Sequence, residues 1–257
     1  MNDSVGRMFE LAGQVALVTG ASKGIGAAIA RSLAACGARV VVSSRRQEAI
    51  EAVAEAIRSQ GGQAEAVAAH VGDPEQLRRL VETSCERCGG IDILVNNAAT
   101  NPTFGPLVAQ SLEVFEKILS VNLKGPFELC RLVQPVMKAR GGGSIINISS
   151  IGGLRPEPML GLYSVSKAAL LSLTQVMARE WGGDRIRVNA ICPGLVQTKF
   201  SEALWRDEAT LRGFLERVPL GRMAQADDIA PLAVYLASPA SGYCTGAVFT
   251  IDGGLTV

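Results

Sequence analysis

Residues 15–26 constrain the fold more than any other stretch. Val15-Ala16-Leu17-Val18 is a short unbroken apolar run, the pattern of a strand buried on both faces. Thr19-Gly20-Ala21-Ser22-Lys23-Gly24-Ile25-Gly26 follows at once. A helix opens inside it at about Gly24, with Ala28, Ile29, Leu33 and Ala34 on its apolar side. Glycines let the backbone turn tightly and approach an anion, and a helix N-terminus offers free N–H donors to that anion. Strand, glycine loop and helix in this order make a dinucleotide-binding unit, spaced Gly-x3-Gly-x-Gly rather than Gly-x-Gly-x2-Gly. Its candidate cofactor contacts are Gly20, Ser22, Lys23, Gly24, Ile25 and Gly26.

The alternation then repeats to the end of the chain. Strands are predicted at residues 14–19, 39–43, 63–69, 91–96, 144–149, 187–192 and 247–252. Helices are predicted at 24–36, 48–60, from Asp73-Pro74 onward, and at 111–139, 161–181, 198–217 and 225–237. Asp73 is expected to cap its helix with Pro74 in the first position, and Asp227 and Asp228 to favour the first turn of theirs. Strands alternating with helices demand a parallel sheet covered on both faces. The expected fold is therefore a doubly wound α/β sheet of about seven strands. No linker, repeat or low-complexity segment divides residues 1–257, so one domain is expected.

Composition narrows the partners. A net charge of +1 argues against a nucleic-acid footprint. No apolar run is long enough for a membrane span. Asp3, Arg7 and Glu10 interrupt the start where a signal peptide needs an apolar core, and Leu255-Thr256-Val257 is not a Ser-Lys-Leu type of address; a cytoplasmic protein is expected. Of six cysteines only Cys85 and Cys88 are close, and His70 is the sole histidine, so no metal site is expected and the thiols are expected to be reduced.

Chemistry is concentrated further along. Tyr163-Ser164-Val165-Ser166-Lys167 puts a phenol and an ammonium one helical turn apart. The cation is expected to favour the phenolate and draw the tyrosine toward neutrality, giving a general acid or base. Ser150 ends a strand thirteen residues before Tyr163, where ligands collect in open α/β sheets, and its hydroxyl can donate to a substrate carbonyl. Asn122 lies four residues before Pro126. Proline has no N–H, so the helix should kink there and the freed Asn122 carbonyl could hold a water reaching Lys167. At the end of the second strand, Ser43-Ser44-Arg45-Arg46 offers no carboxylate before Glu48 to accept a ribose 2′-hydroxyl. Ser44, Arg45 and Arg46, with Lys23, instead suit a 2′-phosphate, so NADPH is expected over NADH.

Together these residues resemble the short-chain dehydrogenase/reductases over about residues 10–254. The resemblance rests on the glycine loop, Asn96-Asn97-Ala98-Ala99, Asn122, Ser150, Tyr163-x-x-x-Lys167, Pro193-Gly194 and Asp252-Gly253-Gly254. It implies a Rossmann-type fold with helices on both faces of the sheet, reversible hydride transfer with a nicotinamide and an Asn122–Ser150–Tyr163–Lys167 tetrad. Ser150 would orient the carbonyl or alcohol, Tyr163 would pass the proton, and Lys167 would lower the tyrosine pKa and hold ribose hydroxyls. Asn97, Ala98, Pro193 and Gly194 would contact the cofactor, Val196 its carboxamide and Thr198 its nicotinamide-side phosphate. Two departures stand out. His70-Val71 replaces the usual acid after the third strand, leaving the Val71 backbone and ring stacking for adenine, and Ala99 replaces a glycine. His70-Val71-Gly72, Ser43-Ser44-Arg45 and the 97–102 segment look most like an NADPH carbonyl/retinal reductase branch, whose members reduce ketones, α-dicarbonyls and quinones and commonly form homotetramers.

Substrate specificity is expected from the segments after Ser150 and after Asn97 and from the 200–214 helix. Leu154, Met159, Leu160, Leu195, Phe200, Leu204, Trp205 and Phe214 suggest an apolar pocket without fixed charge; Arg155 and Lys199 could recognise an acidic group but are expected to face solvent. A reductase of 3-oxoacyl thioesters on an acyl carrier protein is the rival enzyme. A non-catalytic nucleotide-sensing scaffold is disfavoured because all four catalytic positions are intact.

Overall fold

The computed structural model describes residues 3–257, apart from the side chains at positions 3, 203 and 210; residues 1 and 2 of the expected domain lie outside the described residues. Its strands are β1 (Val15–Thr19), β2 (Arg39–Ser43), β3 (Gln63–Ala66), β4 (Ile93–Asn96), β5 (Gly143–Ile148), β6 (Ile186–Pro193) and β7 (Val248–Ile251). They form one parallel sheet ordered β3-β2-β1-β4-β5-β6-β7. The helices are α1 (Asp3–Arg7), α2 (Gly24–Ala35), α3 (Gln47–Ser59), α4 (Pro74–Cys88), α5 (Leu112–Leu119), α6 (Gly125–Ala139), α7 (Gly161–Trp181), α8 (Glu202–Trp205), α9 (Glu208–Leu215) and α10 (Ala226–Ala237).

Period-two alternation within continuous apolar strands feeds two cores. Ala16, Val18, Val40 and Val42 pack on one face with Leu33 of α2, Ile50 of α3 and Ile229 of α10. Val15, Leu17 and Val41 pack on the other with Leu80 of α4, Leu129 and Val133 of α6 and Met177 of α7. The chain winds outward from β1 through β2 to β3, then returns to place β4 on the other side of β1. That reversal opens a crevice beyond the carboxyl ends of β1 and β4, where open sheets of this kind hold ligands.

Asp73 caps α4 as its sequence requires, accepting from the N–H groups of Glu75 and Gln76 at 3.0 and 3.1 Å. Three expectations change. The single helix at 111–139 is instead α5, a wider π-helical turn over Ser120–Lys124, and α6. The Gly125 N–H reaches back to the Ser120 carbonyl. Pro126 supplies no donor, and α6 lies so close to Val71 that a Cβ on Gly125 would sit 2.3 Å from the Val71 oxygen. The segment at 198–217 divides into α8 and α9, and β3 stops at Ala66, although the Val67 and Ala69 N–H groups still bond to Val42 and Ser44 of the β2 side. The short α1 was not foreseen. Among the described residues no helix is long and apolar enough to cross a membrane, and no cluster of His, Cys, Asp or Glu could hold a metal ion.

Candidate active site

A cleft of about 840 Å³ lies over the carboxyl edge of the sheet. Its floor is the loop from β1 to α2, which a bolt from β4 fixes in place. The Thr19 hydroxyl donates to the Val95 carbonyl and accepts from the N–H groups of Asn97 and Ala98 at 3.1 and 3.2 Å. The Asn97 side-chain amide donates to the carbonyls of Thr19 and Gly20 at 3.0 and 3.1 Å. A Cβ on Gly26 would lie 2.4 Å from the Asn97 nitrogen and 2.6 Å from the Gly20 oxygen. Gly26 is thus buried behind the loop, where only a glycine fits against Asn97 and the Gly20 carbonyl. Lys23 precedes α2 in extended conformation without a side-chain cap, which leaves the first-turn N–H groups for an anion.

Every other candidate cofactor residue lines the cleft: Gly20, Ser22, Lys23, Gly24, Ile25, Ser44, Arg45, Arg46, His70, Val71, Asn97, Ala98, Tyr163, Lys167, Pro193, Gly194, Val196 and Thr198. His70 is tied into its own loop. Its Nδ1 accepts from the Gly72 N–H at 3.0 Å, and its N–H donates to Gln76 at 2.9 Å. No carboxylate stands among the lining residues at the end of β2. The glycine cradle, the uncapped helix and the adjoining cations fit a dinucleotide phosphate.

At the far end Lys167 is only 2% exposed. Its Nζ donates to the Ile148 carbonyl at 2.7 Å and sits 5.6 Å from the centre of the Tyr163 ring. Burial pulls this ammonium down to about 8. Burial also pushes the Tyr163 phenol up to about 12, with a hydrogen bond from Ser150 opposing the rise. The expected descent toward neutrality is therefore reversed here, because loss of water around the phenol outweighs its polar neighbours. The Ser150 hydroxyl also accepts from the Gly152 N–H at 3.1 Å.

Asn122 is fully buried and does not reach the cleft with its side chain. Its Oδ1 accepts from the Thr100 N–H at 2.8 Å, and its Nδ2 donates to the Thr100 carbonyl and the Ser166 hydroxyl, both at 3.0 Å. It clamps the loop after β4 to α7, leaving the backbone carbonyl as the part available for a relay.

Of the expected substrate residues, Leu160, Leu195, Phe200, Leu204 and Phe214 line the cleft, whereas Leu154, Met159 and Trp205 do not. Lys199 lines it too, where it could meet an acidic group of the substrate. Thr103 and Phe104 belong to the segment after Asn97 that sequence had marked. Glu157 belongs likewise to the segment after Ser150, while Lys117 as a lining residue was missed and carries no local signal. The lining holds Lys23, Arg45, Arg46, Lys117, Lys167 and Lys199 against the single carboxylate of Glu157. The cleft as a whole thus carries fixed charge, with Lys23, Arg45 and Arg46 among the expected cofactor residues and Lys167 in the expected tetrad.

A doubly wound parallel sheet whose glycine loop, half-buried tyrosine and buried lysine share one crevice defines the class of nucleotide-dependent α/β oxidoreductases. Known proteins narrow the class. A family model described as Enoyl-(Acyl carrier protein) reductase matches residues 20–256. The chain is 42% identical over 244 residues to Dehydrogenase/reductase SDR family member 4 of Homo sapiens, covering 95% of this chain and 88% of that protein. The protein of the same name from Sus scrofa is 43% identical over 250 residues, with 97% and 90% covered. A solved gluconate 5-dehydrogenase from Burkholderia cenocepacia J2315, in complex with NADP and tartrate, matches with a TM-score of 0.94 at 36% identity over 98% of each chain. The chain belongs to the short-chain dehydrogenase/reductase family, oxidoreductases that use NAD(P) on small molecules.

Proposed function

We propose that the chain is an NADPH-dependent reductase of hydrophobic ketones, α-dicarbonyls or quinones, working as one domain in the cytoplasm. The observation that carries this reading is a single cleft with Lys23, Arg45 and Arg46 at one end and Ser150, Tyr163 and Lys167 at the other. A relative solved with NADP supports the choice of cofactor. When bound, the nicotinamide supplies the hydride. Ser150 donates to the substrate oxygen and orients it. Tyr163, a neutral phenol at physiological pH, holds the proton that the oxygen takes up, the form a reduction needs. Lys167 holds ribose hydroxyls and returns a proton to the phenol, with the Asn122 carbonyl anchoring the path to solvent. The relatives' family implies a homotetramer.

Reduction of 3-oxoacyl thioesters is the second reading, favoured by the acyl-carrier-protein wording of the matching family description. The test is turnover of ketones, diketones, quinones and acetoacetyl thioesters with NADPH, together with Kd for both cofactors. NADPH is expected to bind at least about tenfold tighter than NADH. Tyr163→Phe is expected to lower kcat by about 10²–10⁴-fold with NADPH affinity retained. Equal or tighter NADH binding rejects the cofactor assignment, and full turnover by Tyr163→Phe rejects the proton donor. Selective turnover of the thioester selects the second reading.

A further inference from the structure

The segment after Pro193 carries Thr198, Lys199 and Phe200 along the cleft, and one hydroxyl organises it. Ser201 Oγ shares its proton between the carbonyls of Val196 and Thr198. The same oxygen accepts from the Thr198 N–H at 3.3 Å and from the Trp205 indole N–H at 3.1 Å. The indole also reaches the Thr198 carbonyl at 3.3 Å. A hydrogen-bonded knot of this density pins the backbone on both sides of Phe200.

Phe200 is 53% exposed, so it is no core residue. It is nonetheless placed against Tyr163, with ring centres 5.9 Å apart and planes inclined at 46°. A half-exposed aromatic ring gains little from water, so its placement has to be fixed by the chain that bears it. We propose that Ser201 and Trp205 are positioning residues whose clasp seats Phe200 on the Tyr163 ring, so that this lid keeps water from the proton donor. The assignment rests on the role proposed above for Tyr163.

The other groups around the phenol sit on different elements. Lys167 lies on α7, Cys192 on β6 interacts with both Lys167 and Tyr163, and Ser150 follows β5; Lys199 lines the same cleft. Lys167, Cys192 and Ser150 lie outside the clasp, so loosening it leaves them in place while admitting water, whereas Lys199 moves with the clasped segment. Burial is the dominant cause of the high Tyr163 pKa, and Phe200 supplies part of that cover.

The test reads water directly, without turnover. The chain has three tyrosines, so fluorotyrosine labelling gives few ¹⁹F signals, and Tyr163→Phe identifies the one of interest. The shift of that signal between H2O and D2O reports solvent contact, with the fully exposed Tyr243 as the internal standard. Phe200→Ala, Ser201→Ala and Trp205→Phe are each expected to move the Tyr163 signal toward the Tyr243 value. They should also lower its titration midpoint by on the order of one pH unit. Ser201→Thr keeps the hydroxyl and is expected to match the parent protein. Circular dichroism confirms that each variant is folded. Unchanged solvent contact in folded Ser201→Ala and Trp205→Phe overturns the clasp. If solvent contact moves as expected while no carbonyl is reduced, the clasp stands and the reductase reading falls.

Discussion

Lys167 is a cation that the fold buries at a cost. Its pKa falls from 10.5 to about 8, and that displacement corresponds to about 3 kcal/mol. A group whose native pKa is lowered is penalised at every pH below that native value. The penalty fades as pH rises from about 8 toward 10.5, where the native state sheds a proton that the unfolded chain still holds. Lys167→Met removes the cation but leaves the Ile148 carbonyl without its donor, which takes back about 1–2 kcal/mol. The variant is therefore expected to be inactive yet to melt a few degrees higher near neutral pH. The gain should shrink in melts run at alkaline pH; a lower melting temperature at neutral pH would contradict this balance. Sequence spacing disclosed that Tyr163 and Lys167 share a helix face. It could not disclose the direction of their titration, because that follows from how the tertiary fold removes water from both groups. Asn122 is similar: its position was legible, but its grip on Thr100 depends on a loop reached only through the tertiary fold.

At the scale of elements, the loop from β1 to α2 is legible in sequence because its demands are local: an apolar strand, glycines, then a helix. Its rigidity is not local, since the bolt comes from Thr19 and from Asn97 across the sheet. Gly26→Ala tests that distinction. The new Cβ would lie 2.4 Å from the Asn97 amide and 2.6 Å from the Gly20 carbonyl, so Asn97 must swing away and the loop loosen. Destabilisation of about 1–3 kcal/mol is expected in urea titration. NADPH affinity, read by fluorescence, should fall at least about tenfold, although position 26 does not line the cleft. Gly182→Ala, with open space at its Cβ, should leave affinity unchanged. Equal affinities for both variants would mean that the loop is held by something other than Asn97. The turn at Ser120–Lys124 escaped full prediction for the same kind of reason. Pro126 announced an interruption in the helix, but the close approach of Gly125 to Val71 that shapes it joins segments far apart in sequence.

For the molecule as a whole, a net charge of +1 hides a strong internal asymmetry, because six of the cations line one cleft beside a single carboxylate. Apolar surface is just as unevenly placed. Val165 and Val176 of α7 are 51% and 47% exposed and lie about three turns apart, on the same side of the helix. Leu112 of α5 and Phe127 of α6 are exposed as well. Exposed apolar side chains on these helices are a candidate contact surface, the one on which the proposed homotetramer would place further copies of this chain. Sedimentation at micromolar concentration is expected to give close to four times the chain mass of 26.9 kDa. Val176→Asp would place a charge in the middle of that surface, where burial without a partner is costly. It should dissociate the assembly into smaller species while the far-ultraviolet spectrum of each chain is retained. A monomeric parent protein, or a Val176→Asp assembly of unchanged mass, would mean that these helices face water in solution and that their valines need another explanation.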